Sequence, residues 1–280
     1  MLIGHDNLVK TFKRLIKEDK LSHGYIFFGE PQVGKATFAK YLANFLEFGK
    51  FEDSLGIPTE SLVITPDIQK GDNSIGIDAV RNIKQFLYSK PVRSLRRTVI
   101  IDNAETLTNQ AQNAILKIAE EPPPSGLLLL VLPNPEVILP TLQSRFQKVY
   151  FPRASTETVK NFLIKEAKVG AKEASRIAAI SVGRVGRAND IALSEKWASL
   201  DKEVGKFLKG VNRGAIIKDL IAPEKKDKLL PFLVEVISRL REDKERNYPA
   251  LKAILKRLTF MSQFNVNKRL QLEAGLLWTT

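Results

Sequence analysis

The chain has 280 residues, no cysteine and only two histidines, His5 and His23. Disulfides and thiolate metal sites are therefore excluded, and a structural zinc site lacks its usual ligands. Nowhere do about 18 apolar residues run together, the length a membrane-spanning helix needs, so no membrane partner is expected. The opening MLIGHDNLVK has no basic-then-apolar secretory pattern, and a cytoplasmic location is the expectation. Internal repeats and low-complexity segments are missing as well. What remains, at 44% hydrophobic and 27% charged residues, is an ordinary globular composition. It is long enough for two or three domains.

Charge is unevenly spread. Residues 1–150 carry 18 Lys/Arg against 16 Asp/Glu, and residues 151–280 carry 26 against 15. The basic second half suits nucleic acid or an acidic partner surface. Lysine-rich, solvated helix faces explain it equally well.

The first 150 or so residues alternate strand-like and helix-like runs. Tyr25-Ile26-Phe27-Phe28 is a short apolar run ending at Gly29. A helix is expected over about 35–47, with apolar spacing at Phe38, Leu42 and Phe45. Thr98 to Asp102 and Leu127 to Leu132 read as two more buried strands, and a helix from about Asn109 to Glu121 ends at Pro122-Pro123-Pro124. Continuous apolar strands alternating with helices indicate an α/β fold, a parallel sheet covered on both faces. Functional groups in such sheets gather at the carboxyl ends of strands, where Gly29, Asp102 and Asn134 all fall. Phe151-Pro152 closes this region. Beyond it the chain reads as all-α, with a boundary near Ser194. The expected division is 1–152, 153–194 and 195–280.

Gly29-Glu30-Pro31-Gln32-Val33-Gly34-Lys35-Ala36 fits the phosphate-loop pattern G-x-x-x-x-G-K in the right setting of strand, turn and helix. Backbone N–H groups of such a turn favour anions, and Lys35 would reach the outer phosphates. Ala36, however, stands where a Ser or Thr hydroxyl should hold Mg²⁺. Thr37 follows, but its side chain leaves the helix about 100° away. Asp102 is the candidate metal-organising acid, with a helix cap as its plain structural alternative. Asn103 follows it where an active ATPase carries Glu, and an amide cannot accept a proton from the attacking water. Two independent defects in one chemistry argue against intrinsic hydrolysis.

Arg145, in Leu142-Gln143-Ser144-Arg145-Phe146, precedes the last strand-like run. It can make a surface ion pair or act on a neighbouring subunit's nucleotide. Arg93, Arg96 and Arg97 form a basic cluster that suits DNA phosphates or acidic neighbours. His23 reads as a structural histidine.

Together these residues resemble the clamp-loader subunits of bacterial DNA polymerase III, most closely those of delta-prime type. Leu21-Ser22-His23-Gly24-Tyr25 is similar to the family's lead-in to the phosphate loop. Thr65-Pro66-Asp67, with Ile75-Gly76-Ile77-Asp78-Ala79-Val80-Arg81, resembles a second family segment. Asn113-Ala114-Ile115-Leu116-Lys117 with Glu120-Glu121-Pro122-Pro123 resembles a signature highly specific to clamp loaders. Ser144-Arg145-Phe146 matches the SRC motif except for its cysteine. Asn265 to Glu273 resembles the delta-prime C-terminal segment.

The resemblance implies an AAA+ domain, a small helical lid and a helical collar in a hetero-pentameric ring. The partners it implies are gamma/tau-type ATPase and delta-type subunits, the sliding clamp and primed DNA. The subunit would not hydrolyse ATP but would offer Arg145, in trans, to an adjacent ATPase subunit. Gly29, Gly34, Lys35, Thr37, Asp102 and Asn134 would form a degenerate nucleotide site, with weak ATP or ADP binding and an empty loop both left open. Many family members carry a four-cysteine zinc module after the first helix, whereas residues 48–62 here are read as a short cysteine-free loop. The arginine that senses nucleotide in active members aligns with Gly186, and Arg187 is displaced by one. Two other readings stand beside this one: an active gamma/tau-type ATPase, and a DNA-binding helical module on a relic ATPase fold.

Overall fold

Gly126–Leu132, GLLLLVL, is buried along its whole length and forms the centre of the sheet (β4). Only a strand covered on both faces tolerates so unbroken an aliphatic run. In the computed structural model, which describes residues 2–52, 59–66, 74–221, 226–241, 244–263, 270, 271 and 274, β4 pairs in parallel with β1 (Gly24–Phe28) and β3 (Arg97–Asp102). β2 (Ser61–Ile64) and β5 (Gln147–Tyr150) form the edges, and the order is β2-β3-β4-β1-β5. β2 is a correction to the expected loop, which was drawn through to residue 62. Four residues, only partly buried, carry too little pattern to announce a strand.

Alternate residues of β4 face opposite sides. Leu127, Leu129 and Val131 join Phe27, Ile100 and Phe151 beneath α1 (Asp6–Lys17) and α2 (Lys35–Phe48), where Phe12 and Phe38 meet Phe27 edge to face. Leu128, Leu130 and Leu132 join Ile26, Val99 and Ile101 beneath α3 (Ile77–Tyr88) and α4 (Asn109–Glu120). Thr108 caps α4 by accepting the Ala111 N–H at 3.2 Å.

The chain forms two compact units, residues 1–162 with 183–187, and residues 163–182 with 188–280. Residues 183–187, assigned to the lid segment from sequence, thus group with the sheet. The short α5 (Pro140–Gln143) lies in the first unit, and α6 (Thr156–Lys165) crosses the boundary. The second unit is helical among its described residues, with α7 (Ala171–Ser181), α9 (Glu195–Leu208), α10 (Arg213–Ile221), α11 (Lys226–Leu240) and α12 (Lys244–Gln263), while α8 (Val185–Leu193) begins in the first. Its core includes Val204, Phe207, Phe232 and Val236. Glu235, fully buried, accepts from Arg239 at 3.0 Å and pairs with Arg176. No described helix is long and apolar enough to cross a membrane.

Two buried carboxylates organise the sheet's amino-terminal edge. Glu47 of α2 accepts the Thr59 N–H at 3.1 Å, the Thr59 hydroxyl at 3.0 Å and the Glu60 N–H at 3.2 Å. Glu60, its side chain 4% exposed, accepts three consecutive backbone N–H groups, those of Val92, Arg93 and Ser94, and faces Arg97 at 3.8 Å. Burial opposes its ionisation. The three amides and Arg97 outweigh that and hold the carboxyl below the usual glutamate range. Arg97 also lies over Phe86 at 4.8 Å and donates to the Lys90 carbonyl, and Arg96 reaches the Ser22 carbonyl at 3.5 Å. Two of the three clustered arginines therefore serve the fold, and Arg93 is exposed.

Glu60→Gln should cost about 1–3 kcal/mol by urea unfolding, since a buried acceptor of several amides loses its charge. A depressed folded pKa gives stability that is complete above the ordinary glutamate range and is lost as pH falls through the folded value. The variant should therefore unfold in acid with a flatter pH dependence than the parent.

Candidate functional site: a phosphate loop and an outlying arginine

β1 delivers the chain to Gly29, whose N–H donates to the Pro133 carbonyl at 3.1 Å, while Phe151 N–H donates to the Phe28 carbonyl at 2.8 Å. Held between these neighbours, Gly29 takes φ +140°, and a Cβ there would lie 2.5 Å from the Phe151 carbonyl oxygen. Gly34, at φ +106°, precedes the first turn of α2, and a Cβ there would meet nothing closer than 3.5 Å. The first glycine is thus demanded by space and conformation together, the second by conformation alone.

Lys35 is 7% exposed, and its ammonium donates to the loop's own carbonyls, Gly29 at 2.7 Å and Glu30 at 2.6 Å. Burial pushes its pKa down from the usual lysine value, against the pull of Glu105, Asp102 and Glu30. Other contacts brace the loop from outside. Buried His5 shares a 2.7 Å hydrogen bond with the Val33 carbonyl, and burial lowers its pKa. Gly186 N–H donates to the Gln32 carbonyl at 2.9 Å. Arg153 bonds Glu30 at 2.7 Å and holds that carboxyl below its usual range.

Across the sheet, Asp102 ends β3 and accepts the Asn103 N–H at 3.0 Å. Asn103 adopts φ +56°, a left-handed conformation that Asn tolerates better than Glu. The amide that departs from the ATPase pattern is therefore also the residue this backbone prefers. Glu105 lies on the 3-10 turn Ala104–Thr106. Burial raises its pKa, Asp102 adds to the rise, Lys35 opposes it, and Oε2 is buried without a hydrogen-bond partner. Lys35, Asp102 and Glu105 are thus brought within electrostatic reach of one another. Ala36 and Thr37 are half-buried on the first turn of α2. Asn134 spends its side chain on its own turn, accepting the Glu136 N–H at 3.2 Å and donating to the Glu136 carboxylate at 3.3 Å.

Arg145 lies just beyond α5 and before β5, away from these contacts. Its guanidinium donates to Glu120 at 3.3 Å and to the Ser144 hydroxyl at 3.2 Å, and its side chain is 45% exposed. His23 is partly buried near Phe146, its Nε2 without a partner. Asp67 and residues 265–269, 272 and 273, part of the family-like segments, lie outside the described residues.

Sequence reasoning gave no place at the site to His5 and Arg153. Both reach it through tertiary proximity, which no local pattern encodes.

Residues 4–155 match the family described as DNA polymerase III, delta subunit. The DNA polymerase III subunit gamma/tau of Mycoplasma pneumoniae is 30% identical over 183 residues, 62% of this chain but only 26% of that protein. The replication factor C small subunit of Methanococcus vannielii is 28% identical over 197 residues, 69% of this chain and 56% of its own length. Among solved structures, a DNA polymerase III gamma subunit-related protein of Thermotoga maritima covers 96% of this chain and 98% of its own, with TM-score 0.53 and 21% identity, a likeness of fold.

Gly29→Ala should cost about 2–4 kcal/mol, because strain and a backbone clash add, and Gly34→Ala about 1–2 kcal/mol from conformation alone. Thermal unfolding of the two variants side by side checks the order.

Proposed function

This chain belongs to the DNA polymerase III delta-subunit family, and we propose that it is a clamp-loader subunit of delta-prime type that does not itself hydrolyse ATP. In this reading it joins gamma/tau-type ATPase and delta-type subunits in a hetero-pentameric ring. It donates Arg145 to the ATP of an adjacent ATPase subunit and helps load the sliding clamp on primed DNA during replication. Residues 1–152 are its AAA+ domain, 153–194 its lid and 195–280 its collar.

The observation that supports this reading is the contrast between the two places where phosphate chemistry could occur. At the chain's own loop, Lys35 is buried against the loop carbonyls beside Ala36. A nucleotide must break those two bonds before Lys35 can serve it, and no hydroxyl stands at position 36 to hold its metal. Asn134, spent on its own turn, offers nothing further. Arg145, by contrast, is half-exposed on a turn and meets one carboxylate that is itself half-exposed. Such a pair is worth about 0–1 kcal/mol, so a neighbour's triphosphate can take the guanidinium over. The loop keeps Gly29, Gly34 and Lys35, which leaves weak ATP or ADP binding within this reading.

A second reading, an active gamma/tau-type ATPase, is favoured by one observation. Glu105 supplies a carboxyl of raised pKa near Lys35 and Asp102, which a displaced general base would need.

Steady-state ATP hydrolysis by the purified chain, with and without primed DNA, separates the two. No turnover above background is expected. Turnover abolished by Lys35→Ala would establish the second reading instead. In a complex reconstituted with gamma/tau-type and delta-type partners, Arg145→Ala should leave assembly intact and lower hydrolysis at the one adjacent site by roughly 10³-fold.

A further inference from the structure

α4 ends in two glutamates, Glu120 and Glu121. This is the end of a helix where the backbone dipole is negative and where cations, not carboxylates, are stabilising. Helix chemistry therefore gives no reason for Glu120. Lys117, three residues earlier on the same helix, is correctly spaced for a local ion pair, yet among the described residues Glu120 pairs with Arg145, 25 positions away in sequence. The base that carries the carboxylate is firm. The Glu121 carbonyl accepts the Tyr88 hydroxyl of α3 at 2.8 Å, which ties the end of α4 to its neighbour, and Pro122-Pro123-Pro124 follows at once. Arg145, in contrast, stands on a turn between α5 and β5 and, among the described residues, has Glu120 and its neighbour Ser144 alone to orient its guanidinium.

We infer that Glu120 is a positioning residue for Arg145: it holds the guanidinium extended from its turn until the triphosphate of an adjacent subunit displaces it. This rests on the reading of Arg145 given above. One guanidinium nitrogen faces Glu120 and another faces Ser144, so the side chain is restrained at two points. With both members about half-exposed, the pair is weak enough in water to yield to a more highly charged ligand. The carboxylate stabilises one orientation of the arginine before the ligand arrives and thereby lowers the entropy lost when it engages.

The test is a double-mutant cycle in the reconstituted complex, with kcat and KM for ATP measured for the parent, Glu120→Gln, Arg145→Ala and the double variant. Glu120→Gln should lower kcat about tenfold at unchanged KM and should have no further effect once Arg145 is gone. Glu120→Asp, which keeps the charge, should recover most of the loss. In the isolated chain, the nitrogen NMR signal of the Arg145 guanidinium should move in Glu120→Gln, a readout independent of assembly. An unchanged kcat in Glu120→Gln overturns the inference, as does a loss that persists undiminished beside Arg145→Ala. If Arg145→Ala itself leaves hydrolysis unchanged, the arginine-donor reading fails and this inference fails with it. The first two results leave that reading standing.

Discussion

The geometry of the phosphate loop depends on one close approach of backbone to backbone. β1 is clasped between β4 and β5, so at its carboxyl end the chain passes against the Phe151 carbonyl with room for a hydrogen atom and no more. Gly29 is the only kind of residue that fits. From that contact follow the turn at residues 30–34, the start of α2 at Lys35 and the placement of the lysine beside the ends of β1 and β3. The aromatic cluster of Phe12, Phe27, Phe38 and Phe151 lies directly beneath and fixes the same strands from the other side.

Around that turn the loop satisfies itself. Lys35 bonds two carbonyls of its own loop, His5 holds a third and Gly186 a fourth, and Arg153 neutralises the one acidic side chain on the rim. The bonds to its backbone occupy carbonyls, so an incoming anion would have to undo only the two that Lys35 makes before the lysine could serve it. Gly186 latches the loop through its amide. A Cβ there would stand 3.1 Å from the Gln32 side chain, so glycine permits the close approach that this bond needs.

Much of this was legible in the sequence, for definite reasons. Unbroken aliphatic runs fixed β1, β3 and β4 because only doubly covered strands can bury them. The triproline fixed the end of α4, and the spacing of Gly29, Gly34 and Lys35 fixed the turn. β2 escaped because it is a four-residue edge strand that is only partly buried. The role of Glu60 escaped because its partners lie more than thirty residues away. Glu105 escaped because its character comes from burial and from Asp102 across a turn, not from its neighbours in sequence. Asn103 stood out in the sequence as an amide after Asp102. Its left-handed backbone, the reason an Asn is at home there, did not.

Glu47 and Glu60 have a consequence for how the chain can vary. One carboxylate ties the end of α2 to residues 59 and 60, and a second ties residue 60 to the loop before β3. Both ends of the connection between α2 and Thr59 are thereby anchored, its first residues also by Asn44, which donates to the Glu52 carbonyl at 2.8 Å, and by Phe51 against Phe38. Lengthening a closed loop costs little, roughly 0.6 kcal/mol for each doubling. A change in the length of this connection should therefore disturb the sheet on either side little.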